Sequence, residues 1–173
     1  MFGSRPGRQS AKMQAVRLRD RTLRWVAPLL WKAQVVRWQL GGGHLVGAKL
    51  VLTRGDEVLL VRHTYRNGWF LPGGGLKRGE SLEAAARREA REEVGARIGN
   101  LELLGVYTHQ WRRVTNHQAV FCSNDFELTE RPHWEIAQVR FFPRSELPAG
   151  LGTGDRRRIE EHFSGVRGVF GRW

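Results

Sequence analysis

Between residues 41 and 163 the apolar positions fall into short runs broken by turn residues, and only two stretches carry a helical period. "LVGAKLVLT" (45–53) and "EVLLVRH" (57–63) flank Arg54-Gly55-Asp56, which predicts two strands joined by a turn. "GWFL" (68–71) reads as a short extended piece ending at Pro72. From about Ser81 to Val94 the spacing becomes helical, with Leu82, Ala85 and Ala86 on one face. Ser81 suits the N-cap, Glu83 places an anion in the first turn, and Gly95 is the C-terminal stop. Strands are expected at about 98–109, 117–127 and 139–143, followed by a last helix over Thr153–Phe163. Strands interrupted by one helix and closed by another predict an α/β or α+β sandwich.

Ahead of "GGGH" (41–44) the pattern differs. Residues 1–12 are polar with Gly and Pro, which predicts disorder. Val16, Leu18, Leu23, Trp25, Val26, Leu29, Leu30 and Trp31 then suggest a helix, broken near Pro28. The expected organisation is a basic, partly disordered extension over 1–40 and one domain over 41–173.

Charge sharpens that division. The chain of 173 residues has 29 Lys/Arg against 17 Asp/Glu, a net +12. Residues 1–40 hold nine Lys/Arg and one Asp, so the arm carries +8 and the other 133 residues +4. Such an arm attracts phosphates, nucleic acid or anionic lipid. Its apolar face suits packing on the domain or on a second copy in a homodimer, and less well a membrane surface. A domain of this size buries roughly 70% of its unfolded surface, so a core needs no staples. The single Cys122 forms no internal disulfide and fits both a small core position and a reducing compartment. No apolar run reaches the roughly 18 residues of a membrane span, and the N-terminus lacks a secretory h-region, so a cytoplasmic location is expected.

The acids are less evenly spread. Five glutamates fall within Glu80–Glu93, three of them at Glu89, Glu92 and Glu93. On a wheel of about 100° per residue these three share the face of Leu82 and the alanines, Arg87 and Arg91 lie opposite, and Arg88 sits at the margin. A solvated, salt-bridged helix would instead mix its acids with the outer arginines. Inward carboxylates carry a large desolvation cost unless paired or bound to a cation. A hard divalent ion with oxygen ligands, Mg²⁺ or Mn²⁺, removes their repulsion.

Gly73-Gly74-Gly75 lets backbone approach a ligand closely. It is not a P-loop, because Gly79 is followed by Glu80-Ser81, nor a dinucleotide loop, because Arg78 stands where a third glycine is needed. The whole spacing, Gly74-x5-Glu80-x7-Arg88-Glu89-x2-Glu92-Glu93-x-Gly95, resembles the signature of the Nudix hydrolases, and "WFLPGGG" resembles its usual lead-in. Ala90 and Ala96 depart from the larger aliphatics of that pattern. The motif covers 23 residues, Gly74 to Ala96, and the flanking strands extend the likeness to about 41–163.

That resemblance implies an α/β/α sandwich with a mixed central sheet and hydrolysis of a pyrophosphate linkage in a nucleoside diphosphate-X substrate, assisted by Mg²⁺ or Mn²⁺. It implies that Glu92 and Glu93 ligate the metal, that Glu89 is a ligand or the general base, and that Gly74 offers its carbonyl. Arg88 and Glu80 would orient the carboxylates and the loop. A further carboxylate is expected at Glu135, with Asp125 and Glu127 behind it. Arg62, Tyr65 and Arg66, beside His63, and Trp111 with Arg112 are candidates to hold phosphates or a base. His109 and His117 lack close His or Cys partners and are expected to be structural.

Substrate signals are thin. No proline occurs between Pro72 and Pro132, where an ADP-ribose-type enzyme would place one. Nucleoside triphosphates or nucleotide sugars are the expected class. The competing reading is a nucleotide- or RNA-sensing module using the basic arm, which is disfavoured because the acidic set is complete. Hydrolysis at RNA 5′ ends would use both arm and loop.

Overall fold

The computed structural model describes residues 43–111, 113–129 and 134–173. The extension over 1–40, with its expected helix, and Arg112 lie outside the described residues.

Chain order is β1 (Gly43–Arg54), β2 (Glu57–His63), β3 (Gly73–Gly75), α1 (Leu82–Val94), β4 (Ala96–Ile98), β5 (Glu102–Trp111), β6 (Val114–Ser123), β7 (Phe126–Leu128), β8 (Ile136–Pro143), α2 (Thr153–Phe163) and β9 (Val169–Arg172). The main sheet runs β8-β2-β1-β6-β5-β9, with β3 on β1. It is mixed: β1–β6 and β5–β9 are parallel, while β1–β2, β2–β8 and β5–β6 are antiparallel.

Strand alternation divides the core in two. Ala48, Leu50, Leu52, Leu59, Val61, Ala119 and Phe121 pack with Ala85, Ala86, Ala90 and Val94 of α1. Val51, Val58, Leu60, Val120 and Cys122 pack with Ile159 of α2 on the other face. A bulge between Leu103 and Gly105 shifts β5 by one residue, so both Leu104 and Tyr107 reach the α2 face. This is the expected sandwich, and Cys122 sits in it as a small buried residue. Small alanines on α1 let the helix lie close to the sheet.

β1 and β2 pair only at Thr53–Val58 and Arg54–Glu57, then diverge. Residues 69–75 fill the gap: Val61 and Phe70 exchange two backbone bonds of 2.9 Å, Leu50 N–H donates to Pro72 O at 2.9 Å, and β3 pairs with Gly47–Lys49. Gly73 has φ +143° and a β-carbon added to it would run into Ala48 O, so a side chain there is excluded both by conformation and by space. The glycine run, read from sequence as a loop, is therefore also a strand.

Two expected strands are each split. Residues 98–109 divide into β4 and β5, and 117–127 into β6 and β7, with β4 and β7 forming a separate two-stranded ribbon. The cause is a polar corner: Asp125 accepts from Asn100 N–H at 2.7 Å through its carboxylate and from Gly99 N–H at 2.9 Å through its carbonyl. Among the described residues no helix is long and apolar enough to cross a membrane.

Candidate catalytic and metal site

Helix α1 begins where its sequence says it should. Ser81 Oγ accepts from Ala84 N–H at 3.1 Å, and Gly95 closes the helix in the left-handed conformation at φ 67°. Burial of Ala85, Ala86, Ala90 and Val94 against the sheet sets the rotation of the helix. Glu89 and Glu93 then face the sheet, each only 8% exposed, while the Glu92 side chain stays 43% exposed at the rim. The wheel placed all three inward together; the structure separates Glu92, which stays half-exposed and pairs with Lys77 and Arg88.

Arg88 was expected at the margin of the wheel, orienting the carboxylates, and its guanidinium does bond them. It donates to Glu80 at 2.8 and 2.9 Å, to Glu89 at 2.6 Å, to Glu92 at 3.1 Å and to Gly75 O at 3.0 Å. A planar fork serves several acceptors at once, which an ammonium cannot do. Glu80 also accepts from Lys77 N–H at 2.9 Å, so it ties the turn after β3 to the helix. The Arg88 hydrogen bond, helped by Lys77 N–H, holds the Glu80 carboxyl down at about 2. The same bond raises the Arg88 pKa.

Glu93 is held differently. Gly73 N–H donates to its Oε2 at 2.7 Å. Burial nevertheless pushes its pKa up to about 8, with Glu89 and Glu135 adding repulsion and the Gly73 bond and Lys49 opposing. Glu89 is raised by burial as well, against the pull of Arg88. His63 Nε2 lies 3.8 Å from Glu93 Oε1, too far for a hydrogen bond. Burial, then Arg66 and Lys49, lower His63 to about 4, so the imidazole is neutral at pH 7.

Gly74 leaves room for Glu89. An α-carbon substituent there would meet the Glu89 carboxylate, with Cδ at 2.8 Å. Loop and helix thus converge on a patch of oxygen donors: the Glu89, Glu92 and Glu93 carboxylates beside the Gly73–Gly75 backbone. Among the described residues, no three His, Cys, Asp or Glu side chains converge into a ready metal cage. Glu89 and Glu92 are drawn onto Arg88, and Glu93 onto Gly73. The donor chemistry still fits a hard divalent cation, because every candidate ligand is oxygen. A cation there also reverses the burial effect on Glu89 and Glu93 by favouring their ionised forms.

The other candidates separate cleanly. Glu135 O accepts from Thr64 N–H at 2.8 Å, and its charge raises both Glu93 and Tyr65, so the residue lies beside the site. Asp125 is spent on the polar corner and Glu127 is exposed on the β4–β7 ribbon, paired in register with Arg97. Arg62, Tyr65 and Arg66 border a cavity of about 370 Å³ with His63, Thr64 and Gln138, next to Glu93. Trp111 belongs to β5, its side chain lying outside the described residues along with Arg112. His117 bonds Thr108 and His44 at 3.1 and 3.0 Å, a structural role as expected, and His109 is exposed. Sequence reasoning gave no role to Lys49, whose side chain reaches this loop from the far side of the sheet; only its apolar strand context, unusual for a lysine, signalled it.

Comparison with known proteins agrees with this geometry. The NUDIX domain family model matches residues 43–163. "Putative mutator protein MutT4" of Mycobacterium tuberculosis is 36% identical over 99 residues, 54% of this chain and 40% of the relative. Human "8-oxo-dGDP phosphatase NUDT18" is 30% identical over 119 residues, 64% of this chain and 35% of that protein. The alignments therefore span less than half the length of these relatives. The crystal structure of MutT NUDIX hydrolase from Burkholderia pseudomallei superposes with a TM-score of 0.62 at 25% identity, over 68% of this chain and 97% of that one. With the family model spanning most of the sequence and the signature residues gathered at one loop–helix junction, the chain belongs to the Nudix family.

Proposed function

We propose that the protein hydrolyses a pyrophosphate linkage in a nucleoside diphosphate-X substrate, of the nucleoside triphosphate or nucleotide sugar type, with Mg²⁺ or Mn²⁺. The observation that carries this reading is the pair of buried carboxylates, Glu89 and Glu93, that lie against the Gly73–Gly74 backbone. Glu89, Glu92, Glu93 and the Gly74 carbonyl would hold the cation, with Glu135 as the further carboxylate. The bound cation would screen the phosphate oxygens and acidify water for attack on phosphorus. Arg88 keeps Glu89 and Glu92 oriented through its fork, and Glu80 fixes Arg88. Glu89 is placed to take a proton from the attacking water if it is not itself a ligand. Arg62, Tyr65 and Arg66 would receive a phosphate or base in the adjoining cavity. The human relative's name, an 8-oxo-dGDP phosphatase, supports a nucleoside diphosphate-containing substrate.

The test is a screen of the purified full chain with Mg²⁺ and Mn²⁺ against nucleoside triphosphates, nucleotide sugars, dinucleoside polyphosphates and 5′-triphosphorylated RNA. Glu93→Gln is expected to lower kcat by about 100-fold or more. No turnover of any substrate, or a variant equal to wild type, defeats the proposal.

A further inference from the structure

Lys49 projects from β1 onto the α2 face, away from the carboxylates. Its ammonium donates to Leu71 O at 3.3 Å, pairs with Asp155 Oδ1 at 3.2 Å, and lies 5.5 Å from the centre of the Trp173 ring. Asp155 stands in the first turn of α2 and is buried. The residue before it, Gly154, has no room for a side chain because the Trp173 indole fills that space. A lysine–aspartate pair so enclosed is seldom more stabilising than apolar residues of similar size. Its effect must therefore be sought in what it holds.

What it holds is the lead-in to the glycine strand. Leu71–Gly73 is fastened to β1 by three contacts: Lys49 Nζ to Leu71 O, Leu50 N–H to Pro72 O, and the Gly73–Lys49 register pair. Among the described residues, Leu71 O takes its hydrogen bond from Lys49 rather than from a backbone N–H. Gly73 in turn supplies the N–H that holds Glu93. The side chain of Lys49 therefore bonds the peptide group next to the one whose N–H orients the buried Glu93 carboxylate. Its charge also reaches Glu93 and His63 through the sheet.

We propose that Lys49, with Asp155 as its counter-ion, is a positioning residue that sets the path of Leu71–Gly73 and thereby the orientation of the Glu93 carboxylate. The inference rests on Glu93 being a metal ligand. It makes α2 and the β9 end of the sheet part of the metal site's framework, although they lie on the opposite face.

The test measures Mn²⁺ affinity by electron paramagnetic resonance on the full chain, with thermal unfolding and kinetics alongside. Lys49→Met combined with Asp155→Asn removes both charges together and leaves no unpaired ion. It is expected to weaken Mn²⁺ binding about tenfold and to lower kcat by a similar factor, with KM changed less than about twofold. Lys49→Arg should recover most of the affinity. Ile159→Ala, in the same α2-face core, should lower the unfolding temperature and leave Mn²⁺ affinity intact. If the double variant does not fold, Lys49→Gln is read in its place. Wild-type Mn²⁺ affinity in the charge-free variant, while Glu93→Gln has lost it, overturns this inference alone. Equal weakening by Ile159→Ala also overturns it, because the effect is then general stability. A wild-type chain with no Mn²⁺ site overturns both this inference and the proposed hydrolase.

Discussion

Gly74 and Arg88 show how single atoms decide the site. At Gly74 the absence of a β-carbon lets the Glu89 carboxylate lie against the backbone. Gly74→Ala forces that carboxylate aside; it is expected to cost about 1–3 kcal/mol of stability and to reduce activity by at least about tenfold. Urea unfolding and steady-state kinetics on the same preparation measure both. A variant that unfolds earlier yet keeps full activity would show that Glu89 needs no contact with the loop. Arg88 was visible in the sequence only as part of a spacing. Its role depends on five acceptors arriving from a turn, a strand and its own helix, and no helical wheel contains the first two.

For elements, helix α1 is the most legible. Its cap, stop and apolar face are all local features, and each is found where the spacing places it. Ser81→Ala removes the cap bond and is expected to cost about 1 kcal/mol, lowering the unfolding temperature by roughly 2–4 °C. A differential scan of the two proteins checks this; an unchanged transition would mean that packing on the sheet alone sets the start of the helix. β3 and β9 were not legible. β3 is three glycines whose strand character comes only from pairing with Gly47–Lys49, and β9 is a short Val169–Arg172 segment that pairs in parallel with β5. Neither carries an apolar alternation long enough to announce a strand.

On the scale of the whole molecule, the two faces of the sheet differ in chemistry. The α1 face is apolar up to the carboxylates. The α2 face contains a polar cluster built from distant parts of the chain. Arg158, 1% exposed, lies 3.7 Å above the Tyr107 ring, pairs with Glu161 at 2.7 Å and donates to Arg172 O at 3.2 Å. Tyr107 OH donates to Glu161 at 2.8 Å, which closes the cluster. Arg158 thus joins α2, β5 and β9. Arg158→Ala leaves Glu161 without its cation and opens space over Tyr107, so a loss of about 3–5 kcal/mol is expected. Denaturant unfolding that shows less than about 1 kcal/mol would mean that water replaces the guanidinium freely.

The amino-acid sequence by itself determined the order of the principal strands and helices, the ends of α1, and the sharing of one helix face by Glu89 and Glu93. Those features depend on residues within a turn or two of each other, so local spacing is enough to read them. Tertiary structure alone decided that Arg88 also reaches Gly75 O, that Glu92 lies at the rim, and that Lys49 reaches the loop through the sheet. The physical reason is distance along the chain. Leu71 O is 22 residues from Lys49, Glu93 is 20 from Gly73, and Asp155 comes from the last helix. The bonds among them exist only after β1 and β2 diverge and the glycine strand closes the gap.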